Sequence, residues 1–313
     1  MSSEKKALII GTRGSDLALW QTRHAAAMIK EKTEIRIVRT TGDRVVDLPL
    51  HEVGGMGLFT NEIEAWLKDR RIDLAVHSLK DLPVLQPPGM HLGAILERGP
   101  VSDLILVRED CCDESAPLML KAAASVGASS LRRQSMLRLH APQAKAAFIR
   151  GNVPTRLDKL RRGEYDAIII ARAGIERLGL DFSPFKAFEL NPQIWLPAPG
   201  QGAIAVEVRS DDECTLASVA SLDDAATRAA VNIERGLLDY FGVGCHAAFG
   251  AAAELYGELF KVRVGMELDG IWRSVEVEGN NISEVPRMVK EKFDHAEFAA
   301  IKEDKWLLRP YRP

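Results

Sequence analysis

The sequence contains little cysteine. Its 313 residues include only Cys111, Cys112, Cys214 and Cys245, and no CxxC pair or Cys/His cluster has the spacing of a zinc site. Four cysteines in a chain of this length do not form the framework of a disulfide-rich domain. The sequence therefore predicts neither a disulfide scaffold nor a metal centre. We interpret the adjacent Cys111 and Cys112 as incidental residues of a loop.

Long apolar runs and an excess of one charge are also lacking. No stretch of 18 apolar residues could span a membrane, and the opening "MSSEKKALIIG" lacks the apolar core of a signal peptide. The 41 basic and 44 acidic residues give a formal net charge of −3, so no overall positive field attracts nucleic acid. These features predict a cytoplasmic protein without a nucleic-acid or membrane partner. Any anion site must be formed locally.

What the sequence does contain is a repeated strand–helix pattern. Hydrophobic residues make up 46% and charged residues 27%, which suits a globular protein of two or three domains. Apolar runs such as "ALIIG" (7–11) and "IRIVRT" (35–40) alternate with amphipathic helical patterns, and the alternation restarts near residue 100 with "DLILVR" and "DAIIIA". This βαβ pattern predicts an α/β fold of two lobes, each with a parallel sheet flanked by helices.

The pattern also predicts domain boundaries. The first lobe is expected to comprise residues 1–99 with 198–219, and the second lobe residues 100–197. From about residue 220 a long helix, three strands and a last helix predict a small C-terminal α+β domain, 220–313. The Pro/Gly-rich "LPAPGQG" (196–202) is typical of a hinge or crossover. Ligands of such sheets bind beyond the carboxyl ends of the strands, so we expect a cleft between the lobes.

Cationic and hydroxyl side chains follow many of the predicted strands. They are Arg13, Ser15, Lys80, Ser129, Ser130, Arg132, Arg133, Arg150, Arg156, Arg172 and Arg177. Any one arginine suits a solvated basic surface. Their recurrence at equivalent positions in both lobes favours a polyanion site, because a guanidinium can bind a carboxylate with two hydrogen bonds. No phosphate-binding loop motif is present, so nucleotide is disfavoured.

Asp81 differs from these cations in being a carboxylate that follows a predicted strand directly beside one of them, Lys80. By itself it suits a loop residue or a partner for Lys80. Within a cationic cleft, an ionised carboxylate could stabilise a developing positive charge or accept a hydrogen bond from an N–H group. The combination predicts a substrate with acidic arms and a core that is basic or bears N–H groups.

The stretch "GVGCHAAFG" (242–250) places Cys245 between glycines and a histidine. Glycines on both sides indicate a tight turn. The thiol could be structural, a metal ligand, a catalytic nucleophile or an anchor for a covalent group. Metal binding is disfavoured, because the adjacent His246 is not a usual partner ligand. The other three interpretations remain open at this point.

Six motifs resemble those of the porphobilinogen deaminases, also called hydroxymethylbilane synthases. They occur in order as "GTRGSDLALWQT", "VHSLKDLP", "GASSLRRQ", "IRGNVPTRLDKLRRGEYDAIIIA", "LPAPGQGA" and "GVGC", over roughly the first 250 residues. The resemblance implies two lobes like those of type II periplasmic binding proteins. It also implies a monomeric transferase of haem and chlorophyll biosynthesis. Such an enzyme condenses four porphobilinogen molecules head to tail, releases ammonia at each step and hydrolyses the product free as hydroxymethylbilane.

The resemblance also implies roles for individual residues. Cys245 would carry a dipyrromethane cofactor through a thioether, and Asp81 would be the catalytic carboxylate that stabilises cationic azafulvene and pyrrolium species. The residues expected to bind cofactor carboxylates are Lys80, Ser130, Arg132 and Arg133. Those expected to bind substrate and the growing chain are Arg13, Ser15, Arg150, Arg156, Arg177, Phe59 near a pyrrole ring, and Gln201 in the hinge loop.

The sequence departs from the family pattern at a few positions. Residues 54–57 read "GGMG" where the family usually has "GGKG", so Met56 replaces a cation, and Glu52 stands where some members have lysine. Pro154 and His246 replace a small residue and a frequent glutamine. The first two changes weaken the expectation that this loop binds anions.

Two other classes of function compete with the enzyme. A two-lobed binding protein for an acidic solute would need the cleft and its arginines, but neither Asp81 nor Cys245. A thiol acyltransferase would need a base that reaches the thiol and a third group that orients the base, and the sequence identifies no such group. A covalently attached dipyrromethane would distinguish the deaminase from both.

Overall fold

The computed structural model describes residues 7–41, 60–243, 247–299 and 307–312. Met56, Phe59 and Cys245 therefore lie outside the described residues. The chain divides into two compact units, the first formed by Met1–Gly99 with Gly202–Ala229 and the second by Pro100–Gln201 with Ala230–Pro313. The division into three domains stays a prediction.

Both units contain strands and helices, which confirms the α/β prediction. The described strands are β1 (Leu8–Thr12), β2 (Thr33–Ile37), β3 (Leu74–Ser78), β4 (Met90–Ile95), β5 (Asp103–Val107), β6 (Ser125–Gly127), β7 (Lys145–Ala147), β8 (Ala167–Ala171), β9 (Lys186–Leu190), β10 (Ile204–Arg209), β11 (Phe249–Tyr256), β12 (Leu259–Leu268), β13 (Ile271–Gly279) and β14 (Leu308–Pro310). The described α-helices are α1 (Asp16–Met28), α2 (Asn61–Lys68), α3 (Leu131–His140), α4 (Val153–Arg161), α5 (Arg172–Leu178), α6 (Glu213–Val219), α7 (Ala225–Tyr240) and α8 (Val285–Asp294).

The first unit has a five-stranded sheet in the order β2-β1-β3-β10-β4. Strands β1, β2 and β3 are parallel, whereas β10 runs antiparallel to both β3 and β4. Consecutive residues of β1 point to opposite faces, so Ile9 packs with the α2 side and Ile10 with the other apolar cluster. The sheet is buried on both faces, which explains its nearly continuous apolar runs.

The second unit has a six-stranded sheet in the order β14-β9-β5-β8-β6-β7 and a three-stranded antiparallel sheet, β11-β12-β13. Strands β6, β7 and β8 are parallel, whereas β5 is antiparallel to β8 and β9. Trp272 of β13 shares an apolar cluster with Trp195 and the fully buried Leu307. This cluster packs the C-terminal sheet within the same unit as the six-stranded sheet.

The prediction of a parallel sheet in each lobe is wrong, because each large sheet also contains antiparallel strand pairs. Periodicity indicates that "DLILVR" and "AIAVEVR" are strands but carries no information on their direction. Pro154 lies in the first turn of α4, as predicted, where a missing backbone N–H costs nothing. Among the described helices, none is long and apolar enough to cross a membrane.

Candidate functional site

In the first unit, four predicted site residues follow two neighbouring parallel strands. Strands β1 and β3 pair in parallel, so their carboxyl ends meet at one edge of the sheet. Gln21 of α1 donates a hydrogen bond of 2.9 Å to the Ser78 hydroxyl at the end of β3, which ties α1 to this edge. The residues that follow the two strand ends are Arg13, Ser15, Lys80 and Asp81.

Asp81 ends a single 3-10 turn, Leu79–Asp81, directly after β3. Leu79 and Leu82 on either side of its tip are buried at 0% and 1% exposure, whereas Asp81 itself is exposed. The two leucines anchor the turn in the core, so the carboxylate is presented to solvent from a fixed position. Ser15 is the N-cap of α1, and its hydroxyl accepts a weak hydrogen bond of 3.4 Å from the Ala18 N–H.

In the second unit, the loops that follow β6 and β7 are joined by one side chain. The Ser129 hydroxyl donates to the carbonyl of Ile149 and accepts from its N–H at 2.8 Å. Ser130, the exposed N-cap residue of α3, and Arg150 directly adjoin these two bonded residues. The structure thus brings the "GASSLRR" and "IRGNVPTR" motifs to the same edge of the sheet.

The "RGN" turn determines where Arg156 lies. Gly151 has a φ of +114°, and a Cβ at this position would lie 2.6 Å from the Thr155 methyl group, so only glycine fits. Asn152 caps α4 by accepting from the Thr155 N–H at 3.0 Å. Arg156 folds back over this turn, and its Nε donates to the carbonyl of Gly151 at 2.9 Å.

The predicted arginines differ in how far they are desolvated. Burial lowers the pKa of both Arg150 and Arg177. At Arg177 the negative charge of Glu176 opposes this shift. Arg172, which the sequence placed beside them, is instead paired with Glu189 at 2.9 Å and with Glu176. Burial alone would lower the pKa of Arg172, but hydrogen bonds to the two carboxylates raise it. Arg172 is therefore committed to internal pairs.

Arg132 and Arg133 are both buried at the start of α3, with exposures of 2% and 7%. Both bind Asp103, the fully buried first residue of β5. Arg132 Nη2 donates to Asp103 Oδ2 at 2.8 Å, and Arg133 donates from Nη2 to Oδ1 at 2.7 Å and from Nε to Oδ2 at 3.1 Å. The remaining contacts go to backbone carbonyls, with Arg132 Nη1 at 2.6 Å from Leu196 O and Arg133 Nη1 at 3.0 Å from Ile169 O.

This buried cluster has an unbalanced charge and one unused donor. Burial would raise the pKa of Asp103, but the charges and hydrogen bonds of Arg133 and Arg132 outweigh it and hold that pKa far below its usual range. Burial lowers the pKa of Arg132, although Asp103 opposes the effect. The Arg132 Nε is buried and has no acceptor in the part of the chain that the structure describes. A buried unpaired N–H is costly, so an external acceptor such as a ligand carboxylate would satisfy it.

Gln201 lies inside the same cluster. Its exposure is 1%, and its Nε2 donates to the carbonyl of Val101 at 2.7 Å and to Asp103 Oδ1 at 3.0 Å. Trp195 donates from its indole Nε1 to Asp103 Oδ2 at 3.1 Å. These contacts fasten the "LPAPGQG" segment to β5. In the structure Gln201 supports the arginine pair, and its predicted contact with substrate stays a prediction.

A second buried carboxylate also holds the same segment. Glu234 of α7 has 0% exposure; its Oε2 accepts from the Gly200 N–H at 2.8 Å and its Oε1 from the Ala253 N–H of β11 at 3.0 Å. The sequence interpretation missed Asp103, Trp195 and Glu234. The available signals were a charged residue that opens the apolar run "DLILV" and a tryptophan directly before "LPAPGQG".

Phe59 and Cys245 lie outside the described residues, so their predicted roles gain no geometry here. In the described ranges, no group of three His, Cys, Asp or Glu residues could hold a metal ion. In each unit cationic and hydroxyl side chains follow strand ends, and in the first unit Asp81 is an exposed carboxylate next to Lys80 in the chain. Fold and site residues together define the class as an α/β protein with cationic side chains gathered at its strand ends.

Comparison with known proteins identifies the family to which this chain belongs. Residues 8–217 match the family model "Porphobilinogen deaminase, dipyromethane cofactor binding domain". The chain is 41% identical over 261 residues to the porphobilinogen deaminase of Syntrophomonas wolfei, which covers 82% of this chain and 83% of that protein. It is 43% identical over 264 residues to that of Roseiflexus sp., covering 83% and 85%. The chain belongs to the porphobilinogen deaminase family.

Similarity to solved structures is more distant. The periplasmic VFT2 domain of BvgS from Bordetella pertussis aligns with a TM-score of 0.41 and 14% identity over 74% of this chain and 90% of that domain. A Salmonella typhimurium periplasmic binding protein described as specific for arginine aligns with a TM-score of 0.40 and 10% identity, covering 71% and 94%.

Proposed function

We propose that this chain acts as a porphobilinogen deaminase, a transferase that joins four porphobilinogen molecules and releases hydroxymethylbilane. In each condensation the carbon–nitrogen bond of the aminomethyl group breaks and ammonia leaves. The methylene carbon then bonds to the free α-carbon of the pyrrole at the end of the bound chain, and that α-carbon loses its proton. Water hydrolyses the completed chain from the enzyme and supplies the hydroxyl group of hydroxymethylbilane. Membership of the family supports this reaction. The buried Arg132 Nε, a donor without an acceptor in the described residues, is the structural observation that supports a carboxylate ligand at the site.

The residues present fit the dipyrromethane for which the matching domain is named. A dipyrromethane made from two porphobilinogen units bears four carboxylates, two acetates and two propionates. Arg132 Nε is a buried donor that lacks an acceptor in the described ranges, and Ser130 is an exposed hydroxyl on the adjacent helix N-terminus. We propose that Lys80, Ser130, Arg132 and Arg133 hold the carboxylates of this cofactor. When bound, the cofactor supplies the pyrrole carbon that accepts the first substrate.

Cys245 is the proposed point of attachment, through a thioether. Cys245 lies in the glycine-rich sequence "GVGCHAAFG", and Cys111 is a poor alternative. Burial, with a hydrogen bond of 3.2 Å from Cys111 to Asp166, raises the pKa of the Cys111 thiol to about 11. Since the thiolate is the nucleophile, such a thiol reacts slowly at neutral pH.

Asp81 is the proposed catalytic residue. Its carboxylate would accept a hydrogen bond from the pyrrole N–H and stabilise the positive charge that develops on the ring when ammonia leaves. The buried Leu79 and Leu82 hold the turn, so this charge is in place before the reaction starts. The residues that we propose to bind substrate and the growing chain are Arg13, Ser15, Arg150, Arg156, Arg177, Phe59 and Gln201.

Intact-mass spectrometry of the purified protein tests the proposal. We expect the wild-type chain to exceed its sequence mass by one dipyrromethane and to give a coloured product with an aldehyde reagent for pyrroles. Cys245→Ser should remain folded but lack the added mass and the activity. Cys214→Ser is the matched control, because Cys214 is an exposed thiol, and it should behave like the wild type. An unmodified wild-type chain without deaminase activity would overturn the proposed function.

A further inference from the structure

Asp103 is the point at which the arginine pair is assembled. Its carboxylate accepts five hydrogen bonds from four side chains, those of Arg132, Arg133, Trp195 and Gln201. These donors are separated from Asp103 in sequence by 29, 30, 92 and 98 residues. A carboxylate with 0% exposure that collects donors from α3 and from the "LPAPGQG" segment fixes both relative to β5.

The same contacts determine which donors remain for a ligand. Arg132 uses Nη1 on Leu196 O and Nη2 on Asp103, which leaves its Nε buried and unpaired within the described residues. Arg133 uses all three of its nitrogens on protein acceptors, although each Nη retains a second N–H. The direction in which this pair can bind a carboxylate is therefore set by Asp103.

Asp103 also sets the charge of the pair. Two guanidiniums against one carboxylate leave one net positive charge in a buried cluster. Without Asp103 both guanidiniums would be uncompensated, a situation that is strongly unfavourable in a protein interior. They would then rotate towards other anions.

We propose that Asp103 is a positioning residue that orients Arg132 and Arg133 towards the cofactor carboxylates and limits their net charge to that of one cation. The proposal rests on the proposed function for the identity of the ligand. It assigns a role in the reaction to a residue that acts through the two arginines. Trp195 and Gln201 donate further hydrogen bonds to this carboxylate and so hold it in place.

The test compares Asp103→Asn with Asp223→Asn as the matched control. Asp223 is a partly buried carboxylate that binds Arg228 Nε through both oxygens at 2.8 and 2.7 Å, in the other compact unit. Both substitutions break an Asp–Arg pair with the same chemical change. We expect the Asp103→Asn protein to show a smaller fraction of chains with the added mass. By analogy with the residues that orient metal ligands, we also expect a kcat/KM for porphobilinogen about 10- to 100-fold lower. The control should retain its cofactor and its KM.

Sulfate gives a readout that a merely destabilised fold would not produce. With the second guanidinium uncompensated, the Asp103→Asn protein should be inhibited by sulfate at concentrations that leave wild type and control unaffected, and sulfate should raise its melting temperature more. Because a melting temperature needs no cofactor, this comparison also applies if the wild-type chain carries no added mass. A wild-type chain without added mass would overturn the proposed function but not the positioning role of Asp103.

If the Asp103→Asn protein does not fold, the Trp195→Phe variant tests the positioning role of Asp103 instead. It keeps an aromatic ring and removes one donor to Asp103 Oδ2, so we expect a folded protein with a raised KM, a nearly unchanged kcat and a partial increase in sulfate sensitivity. Normal cofactor content, KM and sulfate response in the folded Asp103→Asn protein, or in the Trp195→Phe protein if only that one folds, would overturn the positioning role.

Discussion

Replacing Glu234 with glutamine should lower the free energy of unfolding of the second unit by a measurable amount. Glu234 is completely buried, and its two oxygens each accept a backbone N–H, from Gly200 and from Ala253. A glutamine has the same shape, but its NH₂ group must face one of these two N–H donors. One hydrogen bond is lost and a buried N–H is left without an acceptor.

The magnitude follows from the two bonds. A hydrogen bond to a charged group contributes about 1.5–3 kcal/mol, and the bond that survives becomes a weaker neutral one. The lower cost of burying a neutral amide offsets part of this loss. We therefore expect the free energy of unfolding to fall by about 2–4 kcal/mol, which lowers the urea midpoint by about 1 M for a unit of this size.

Urea denaturation followed by circular dichroism measures the change. The control is Glu291→Gln, the same substitution at an exposed position of α8, where Glu291 pairs with Arg287 at i,i+4 spacing. Such a pair contributes about 0.5 kcal/mol or less. If the midpoint of Glu234→Gln moved no further than that of the control, the assigned role of the buried carboxylate would be refuted.

Three further changes test other parts of the molecule. Asp81→Asn should lower kcat by about 100- to 1,000-fold and Asp81→Glu by less, because the charge survives in a displaced position; near-normal turnover of the Asn variant would exclude the electrostatic role. Burial raises the pKa of Glu64, so its favourable contribution is complete below the ordinary carboxyl pKa and is lost as pH rises through the raised value. Glu64→Gln should therefore raise the melting temperature by about 1–3 °C at neutral pH and not in acid, and an equal effect at both would contradict this. Leu307→Ala removes a fully buried side chain and should cost about 2–5 kcal/mol in urea denaturation, whereas a cost under about 1 kcal/mol would mean that the C-terminal strand does not pack as described.

Local sequence patterns predicted the sheet edge at which these side chains lie better than the connections among them. Arg132 and Arg150 could be placed at the same edge of a sheet, because strand periodicity and the rule that ligands bind at carboxyl ends are both local arguments. Asp103 could not be found in this way. Its importance comes from partners such as Trp195, 92 residues away, and no periodicity carries that information.

Strand direction and short edge strands were beyond prediction for a related reason. Strand β14 has three residues, "LRP", and forms only because the edge of β9 offers it hydrogen-bond partners at Leu190 and Phe188. Strand β10 is strongly apolar and was recognised, yet its antiparallel orientation depends on where the chain re-enters the sheet. Both features depend on tertiary structure, which overrides local preference.

The position of β10 has a consequence for how the chain reaches this structure. In the first unit β10 lies between β3 and β4 and bonds to both, but about a hundred residues of the other unit separate it in sequence from β4. Until β10 emerges from the ribosome, β3 and β4 lack the strand that joins them, and each presents an unpaired edge to other chains. Closing so long a loop makes this sheet slow to complete. We therefore expect the growing chain to be exposed to aggregation while the second lobe is being synthesised.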